Sequence, residues 1–74
     1  MEPVSEALSL LRRQAEIEAA MRQPGGIRVT EERELYALRE RLRLYPVAVG
    51  AILETAQRLR RPVEAISSAD IEAV

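Results

Sequence analysis

The chain has 74 residues and a formal net charge of -1, and it contains no cysteine and no histidine. This composition excludes disulfides, thiolate metal sites and the side chain that most often serves as metal ligand or general base. The weak negative charge gives no general attraction to nucleic acid or to an anionic membrane, and no apolar run approaches the ~20 residues of a membrane span.

The same composition predicts one small helical domain that spans residues 1–74. Phe and Trp are absent, so the core must be built from aliphatic side chains, which suit helices better than sheets. Because neither disulfides nor cysteine- or histidine-bound metals can stabilise so short a chain, we expect self-association or a protein partner to do so. The first residues lack the basic flank and long apolar stretch of a signal peptide, which indicates a cytoplasmic protein. All basic residues are arginine, as expected from the codon usage of a GC-rich bacterial genome.

The first predicted helix covers about residues 3–23 and begins at Pro3, whose missing N–H suits a first helical position. Two apolar rows run along this helix and together cover almost half of its surface. The rows are Val4, Leu8, Leu11 and Ala15, and Leu10, Ile17 and Met21. Such an arc is wider than one neighbouring helix needs. Either the helix packs between two neighbours, or it presents a self-association face on which Gln14 and Glu18 set the register.

A Pro-Gly-Gly turn at residues 24–26 ends the first helix, and a second helix is predicted over about residues 31–45. Thr30 is its expected N-cap, because the hydroxyl can accept a hydrogen bond from the first turn. One narrow apolar seam faces the core. The seam consists of Leu35, Leu38, Leu42 and Tyr45. Tyr36 and Leu44 fall off the seam, so we expect them to cover its edges or to touch a partner.

A third helix is predicted over about residues 46–60, and we expect it to pack back to back with the second. In this interpretation residues 30–61 form a pair of helices on which the rest of the chain packs. The predicted core face of the third helix is Val49, Ile52, Leu53, Ala56 and Leu59. Gly50 forms a small-residue patch with Val47 and Ala51 on another face. The patch serves either close contact with the first helix or docking of another chain.

The chain ends in a predicted short helix over residues 68–74. Ser67 is its expected N-cap, and Asp70 takes the place of the glutamate in a capping box. Ile66 and Ile71 occupy the two positions of a hydrophobic staple. The sequence therefore predicts an all-α fold, a small antiparallel bundle of three main helices plus a short C-terminal helix.

An enzyme needs a nucleophile, an acid–base pair or a cofactor site, and no such constellation stands out from the surface pattern of Glu near Arg. The segment LRRQAEIEAAM, from Leu11 to Met21, is similar to the first helix of chorismate mutases. That resemblance implies an all-helical enzyme working mainly with Arg and Glu or Gln, but the lysine that such sites typically use is absent. We therefore expect no catalytic residues, no cofactor and no metal.

Our leading hypothesis is a non-catalytic protein–protein interaction module or adaptor that self-associates through leftover apolar helix surface. The expected contact residues are Leu10, Ile17, Met21, Leu44, Val47 and Ala51. The alternative is a small helix-turn-helix DNA-binding regulator that contacts phosphates through an arginine-rich face. The arginines available to it are Arg39, Arg43, Arg58 and Arg61. The weakly acidic chain and the acidic last helix, with Asp70 and Glu72, count against nucleic acid as the partner.

Overall fold

The four predicted helices are all present in the computed structural model, which describes residues 3–72. A short 3-10 turn precedes the last helix. The elements are α1 at Val4–Met21, α2 at Val29–Leu42, α3 at Pro46–Leu59, the 3-10 turn at Val63–Ala65 and α4 at Ser68–Glu72. The described part of the chain contains no strand. The predicted fold class, a small all-α bundle of three main helices and one short one, is confirmed.

The first helix, and not the pair that follows it, is the element on which the others pack. α1 contacts α2, α3, the 3-10 turn and α4, whereas α2 has its main contacts with α1 alone. The prediction that α2 and α3 pack back to back as a frame is therefore wrong. The wide apolar arc of α1 explains the difference, because α2 covers one side of that arc and α3 covers the other.

Two hydrophobic clusters correspond to these two sides of α1. The first cluster joins α1, α3, the C-terminal segment and the last residue of α2. Its buried residues are Ala7, Leu8, Leu11, Leu42, Ala48, Ile52, Ala56 and Ile66. The second cluster lies between α1 and α2 and consists of Ile17, Leu35 and Leu38, with Leu10 and Ile27 packed against it. The Cα atoms extend over 40 × 25 × 14 Å, so the molecule is elongated and shallow.

The start of α2 differs from the prediction. The helix begins at Val29, so Thr30 lies within its first turn and is not the N-cap. The Glu31 carboxylate instead accepts a hydrogen bond from the backbone N–H of Arg28 at 3.2 Å. Since a glutamate at the third helical position can reach back to the N-cap backbone in this way, the helix starts two residues earlier than expected.

The predicted start of α4 is confirmed in detail. The Ser67 N–H donates to Oδ2 of Asp70 at 2.9 Å, and the Asp70 N–H donates to the Ser67 hydroxyl at 3.3 Å. Ile66 is fully buried, and Ile71 packs against the cluster that contains it. The Arg12 guanidinium donates to the Ile66 carbonyl and so ties this segment to α1. Ala73 and Val74, which the prediction included in this helix, lie outside the described residues.

The buried face of α3 is rotated from the predicted one. Leu53 and Leu59 were expected in the core, but their exposed fractions are 47% and 38%. Ala48 and Thr55 are buried in their place. Thr55 can be buried because its hydroxyl donates to the Ala51 carbonyl at 2.8 Å and so has a hydrogen-bond partner.

Candidate partner-binding surface

Two of the predicted contact residues belong to the molecule's own core. Only 1% of the Ile17 surface is exposed, since Ile17 packs with Leu35 and Leu38 between α1 and α2. Leu10 is partly buried and packs against both clusters. The wide arc of α1 therefore reflects packing between two neighbours, which was the first of the two interpretations. Ile17 has no surface to offer a partner, and its assignment as a contact residue is corrected.

The other predicted contact residues lie at the surface, in separate places. Met21, at the end of α1, has an exposed fraction of 50%. Leu44 and Val47, between α2 and the first turn of α3, are 65% and 73% exposed. Ala51 is partly buried and lines a shallow depression on α3. Gly50 is exposed, and a Cβ built on it meets no atom within 4 Å, so the Gly50 position makes no close helix contact.

A groove of about 710 Å³ lies beside the N-terminal half of α2. Its floor is formed by buried Leu35 and partly buried Ile27. Three exposed apolar side chains form its walls: Met21, Val29 and Tyr36. Three charged side chains also line it: Glu32, Arg33 and Arg39. Met, Tyr and Arg, all present in this lining, are residue types enriched at protein–protein interfaces.

The turn between α1 and α2 creates this groove. Gly25 and Gly26 have φ angles of +94° and +63°, a left-handed conformation that glycine adopts without strain. They reverse the chain so that Ile27 returns to the second cluster. Met21 and Val29 are left on the two sides of the reversal, and both remain exposed, at 50% and 63%. Sequence reasoning had identified Met21 and Tyr36 but missed Ile27 and Val29, because their position depends on the path of the turn.

One side of α2, which we call its outer face, points away from the core. At 100° per residue, Val29, Arg33, Tyr36 and Glu40 share this face, opposite the buried seam. Each of the four is exposed. Arg33 forms no ion pair with any residue of the described chain, whereas Glu40 accepts from Arg43 at 3.3 Å. The outer face of α2 therefore carries apolar and charged groups in alternation, with one cation unpaired.

Ion pairs border the α1–α2 seam on both sides. One side has the pair of Arg39 with Glu18. On the other side Arg41 binds Glu6, with a shortest distance of 2.7 Å between Nη2 and Oε1. On the same side Arg13 holds both carboxylate oxygens of Glu34, at 2.7 and 2.9 Å. These pairs also establish that α1 and α2 run antiparallel. The hydrogen bonds from Arg41 and Arg13 lower the pKa of Glu6 and the pKa of Glu34 below their ordinary values.

The arginines of the alternative hypothesis are mostly engaged with carboxylates. Arg39 lies 3.8 Å from Glu18, Arg43 pairs with Glu40 at 3.3 Å, and Arg61 lies 3.6 Å from Asp70. Only Arg58 of this set is exposed without an ion pair in the described part of the chain. A helix-turn-helix also requires two successive helices packed on each other. α3 and α4 do contact each other, but α4, the second helix of that pair, has only five residues, and Asp70 and Glu72 are two of them.

Within residues 3–72 no group of three or more acidic side chains is arranged to hold a metal ion. The described helices also include none that is long and apolar enough to cross a membrane. Comparison of the chain with protein-family models, with curated proteins and with solved structures finds no match.

Proposed function

We propose that this protein is a non-catalytic protein–protein interaction module, an adaptor that self-associates through the outer face of α2. The observation that carries this proposal is the groove of about 710 Å³ whose lining includes three exposed apolar side chains among charged ones. Val29 and Tyr36 leave 63% and 70% of their surface in contact with water. Covering such side chains is favourable by about 25 cal/mol per Å² of apolar surface, which supplies a driving force for association.

The surface proposed for contact now differs from the one that the sequence indicated. Met21 and Leu44 remain in it, and Val29, Tyr36 and Ile27 are added. Val47 is exposed in the first turn of α3, outside both the groove and the outer face of α2, and it leaves the surface. Leu10 and Ile17 leave it because they pack within the chain. Ala51 lies on α3, away from the groove, and is not part of the proposal. The DNA-binding alternative has less support, because three of its four arginines already pair with carboxylates.

The test is the solution mass of the protein over a range of concentrations, measured by light scattering. The wild-type chain should be heavier than one protomer at high concentration. The double variant Val29→Glu with Tyr36→Glu should have the mass of one chain and an unchanged helical circular dichroism spectrum, because both side chains are exposed.

Leu53→Glu is the matched control, since Leu53 is an exposed apolar residue of α3 that does not line the groove. It should associate like the wild type. A wild-type mass of one chain at every concentration, with no protein partner bound, would remove the proposal.

A further inference from the structure

We infer that the partner of the outer face of α2 is the same face of a second copy. The two helices pack antiparallel, related by a two-fold axis that passes between them at the level of the middle of α2. This inference rests on the proposed function and specifies its geometry. In an isologous interface both copies use the same surface patch, so a contact between two different residues occurs twice, once in each direction. The residues on the outer face must therefore be complementary to themselves when the helix is reversed.

The apolar groups on and beside α2 meet this requirement. Val29 begins α2, and Leu44 follows its end. Both are the same number of residues along the chain from the point between Tyr36 and Ala37. Both are largely exposed, at 63% and 65%. Reversal of α2 about that point places Leu44 of the second copy opposite Val29, at the mouth of the groove. Each copy then covers the groove of the other, and Tyr36 lies at the centre of the interface.

The charged groups meet the same requirement in the same register. Arg33 and Glu40 are also equidistant from the point between Tyr36 and Ala37, roughly 10 Å apart along the helix axis. The two-fold axis therefore brings Arg33 opposite Glu40 of the second copy, twice in each dimer. Arg33 has no ion-pair partner in the described part of its own chain, and Glu40 holds only the exposed Arg43. Sliding one helix by a turn loses both intermolecular pairs, so the charges define the register.

Charge reversal tests this register. Arg33→Glu places two carboxylates opposite each other at both ends, and Glu40→Arg places two guanidinium groups there. Each single variant should dimerise at least roughly tenfold more weakly than the wild type, because two attractions become two repulsions. An equimolar mixture of the two variants should dimerise with an affinity near that of the wild type, because every opposed pair again joins opposite charges. The double variant should behave in the same way.

Arg58→Glu and Glu54→Arg are the matched controls, because both residues are exposed on α3 outside the outer face of α2. Neither should change the dimer affinity. Sedimentation of each protein and of the mixture, from about 1 µM to about 1 mM, covers the affinity expected of a small interface. Circular dichroism of the dilute single variants checks that they fold, and the mixture and the double variant provide the rescue.

The outcomes separate this inference from the proposed function. Weakened single variants with a restored mixture would support the pairing of Arg33 with Glu40. A wild-type dimer that neither charge reversal weakens would overturn the pairing but leave self-association standing. A wild-type chain that stays monomeric to about 1 mM would overturn both.

Discussion

The two sides of α1 are covered to different extents. On one side α3, the 3-10 turn and α4 together enclose the first cluster, and Arg12 fastens the C-terminal segment to α1 through the Ile66 carbonyl. On the other side α2 covers the second cluster by itself. A single helix leaves the edges of an apolar seam open, and here ion pairs border those edges while the groove opens beside one of them. The exposed surface that we propose for a partner therefore lies around α2, the helix that covers its side of α1 alone.

The largest expected effect is on the better covered side. Ile52 is fully buried in the first cluster, so Ile52→Ala should lower the free energy of unfolding by about 2–5 kcal/mol. The neighbouring substitution Leu53→Ala is the control, and it should cost much less because Leu53 is 47% exposed. Urea unfolding followed by circular dichroism measures both. Equal losses would contradict the observed orientation of α3.

A somewhat smaller effect is expected for Ile17→Ala in the second cluster. The loss should fall near the lower end of the same range, about 2–3 kcal/mol, because side chains beside an open groove can shift into the space. Amide hydrogen exchange should become faster mainly in α2, since α2 has its main contacts with α1. A uniform acceleration throughout α3 and α4 would show that the two sides unfold as one unit.

The sequence predicted the fold class and the short capped helix because both depend on local patterns. Helical periodicity and the Ser67–Asp70 capping box involve residues a few positions apart, so no tertiary information is needed. The predicted arrangement of the helices failed for the opposite reason. An apolar arc on α1 indicates how much surface must be covered, but the periodicity carries no information about which helix covers it. α2 and α3 were therefore paired with each other when each packs on α1.

The candidate site was predictable only in part. Tyr36 and Leu44 fall off the α2 seam by periodicity alone, and both are exposed. Ile17 lies in the wide apolar arc of α1, where periodicity does not distinguish exposed from buried residues. It is buried because it packs against α2. The groove depends on the left-handed path of the glycine turn, which brings Ile27 back beneath α2 and leaves Val29 uncovered. Such a path cannot be derived from the spacing of apolar residues.

A smaller effect of opposite sign is expected at Gly50, on the exposed face of α3. A Cβ there meets no atom within 4 Å, so Gly50→Ala should stabilise the protein by about 0.5–1 kcal/mol through lower backbone entropy in the unfolded chain. Gly26→Ala is the matched control in the turn beside the groove. Because Gly26 has a φ of +63°, alanine there should destabilise by about 1–2 kcal/mol. Thermal unfolding midpoints that move in the same direction for both would contradict this account.

The smallest effect is the pH dependence of the ion pairs along the α2 side. Glu6 and Glu34 have pKa values below the ordinary 4.5 because Arg41 and Arg13 donate hydrogen bonds to their carboxylates. The unfolded chain therefore binds these protons at higher pH than the folded chain does. It follows that the stabilisation is complete above pH 4.5 and is lost as the pH falls through the lower folded pKa values.

The double variant Glu6→Gln with Glu34→Gln should accordingly flatten the fall in the urea midpoint between about pH 6 and about pH 3. The control is Asp70→Asn on the α4 side, where hydrogen bonds from Ser67 lower the pKa of Asp70 in the same direction. Asp70→Asn removes a single carboxylate, so it should reduce the fall in the urea midpoint by less than the double variant does. If it flattened the profile more than the double variant did, the α4 cap would carry the acid sensitivity, and the ion pairs along α2 would serve chiefly to orient that helix.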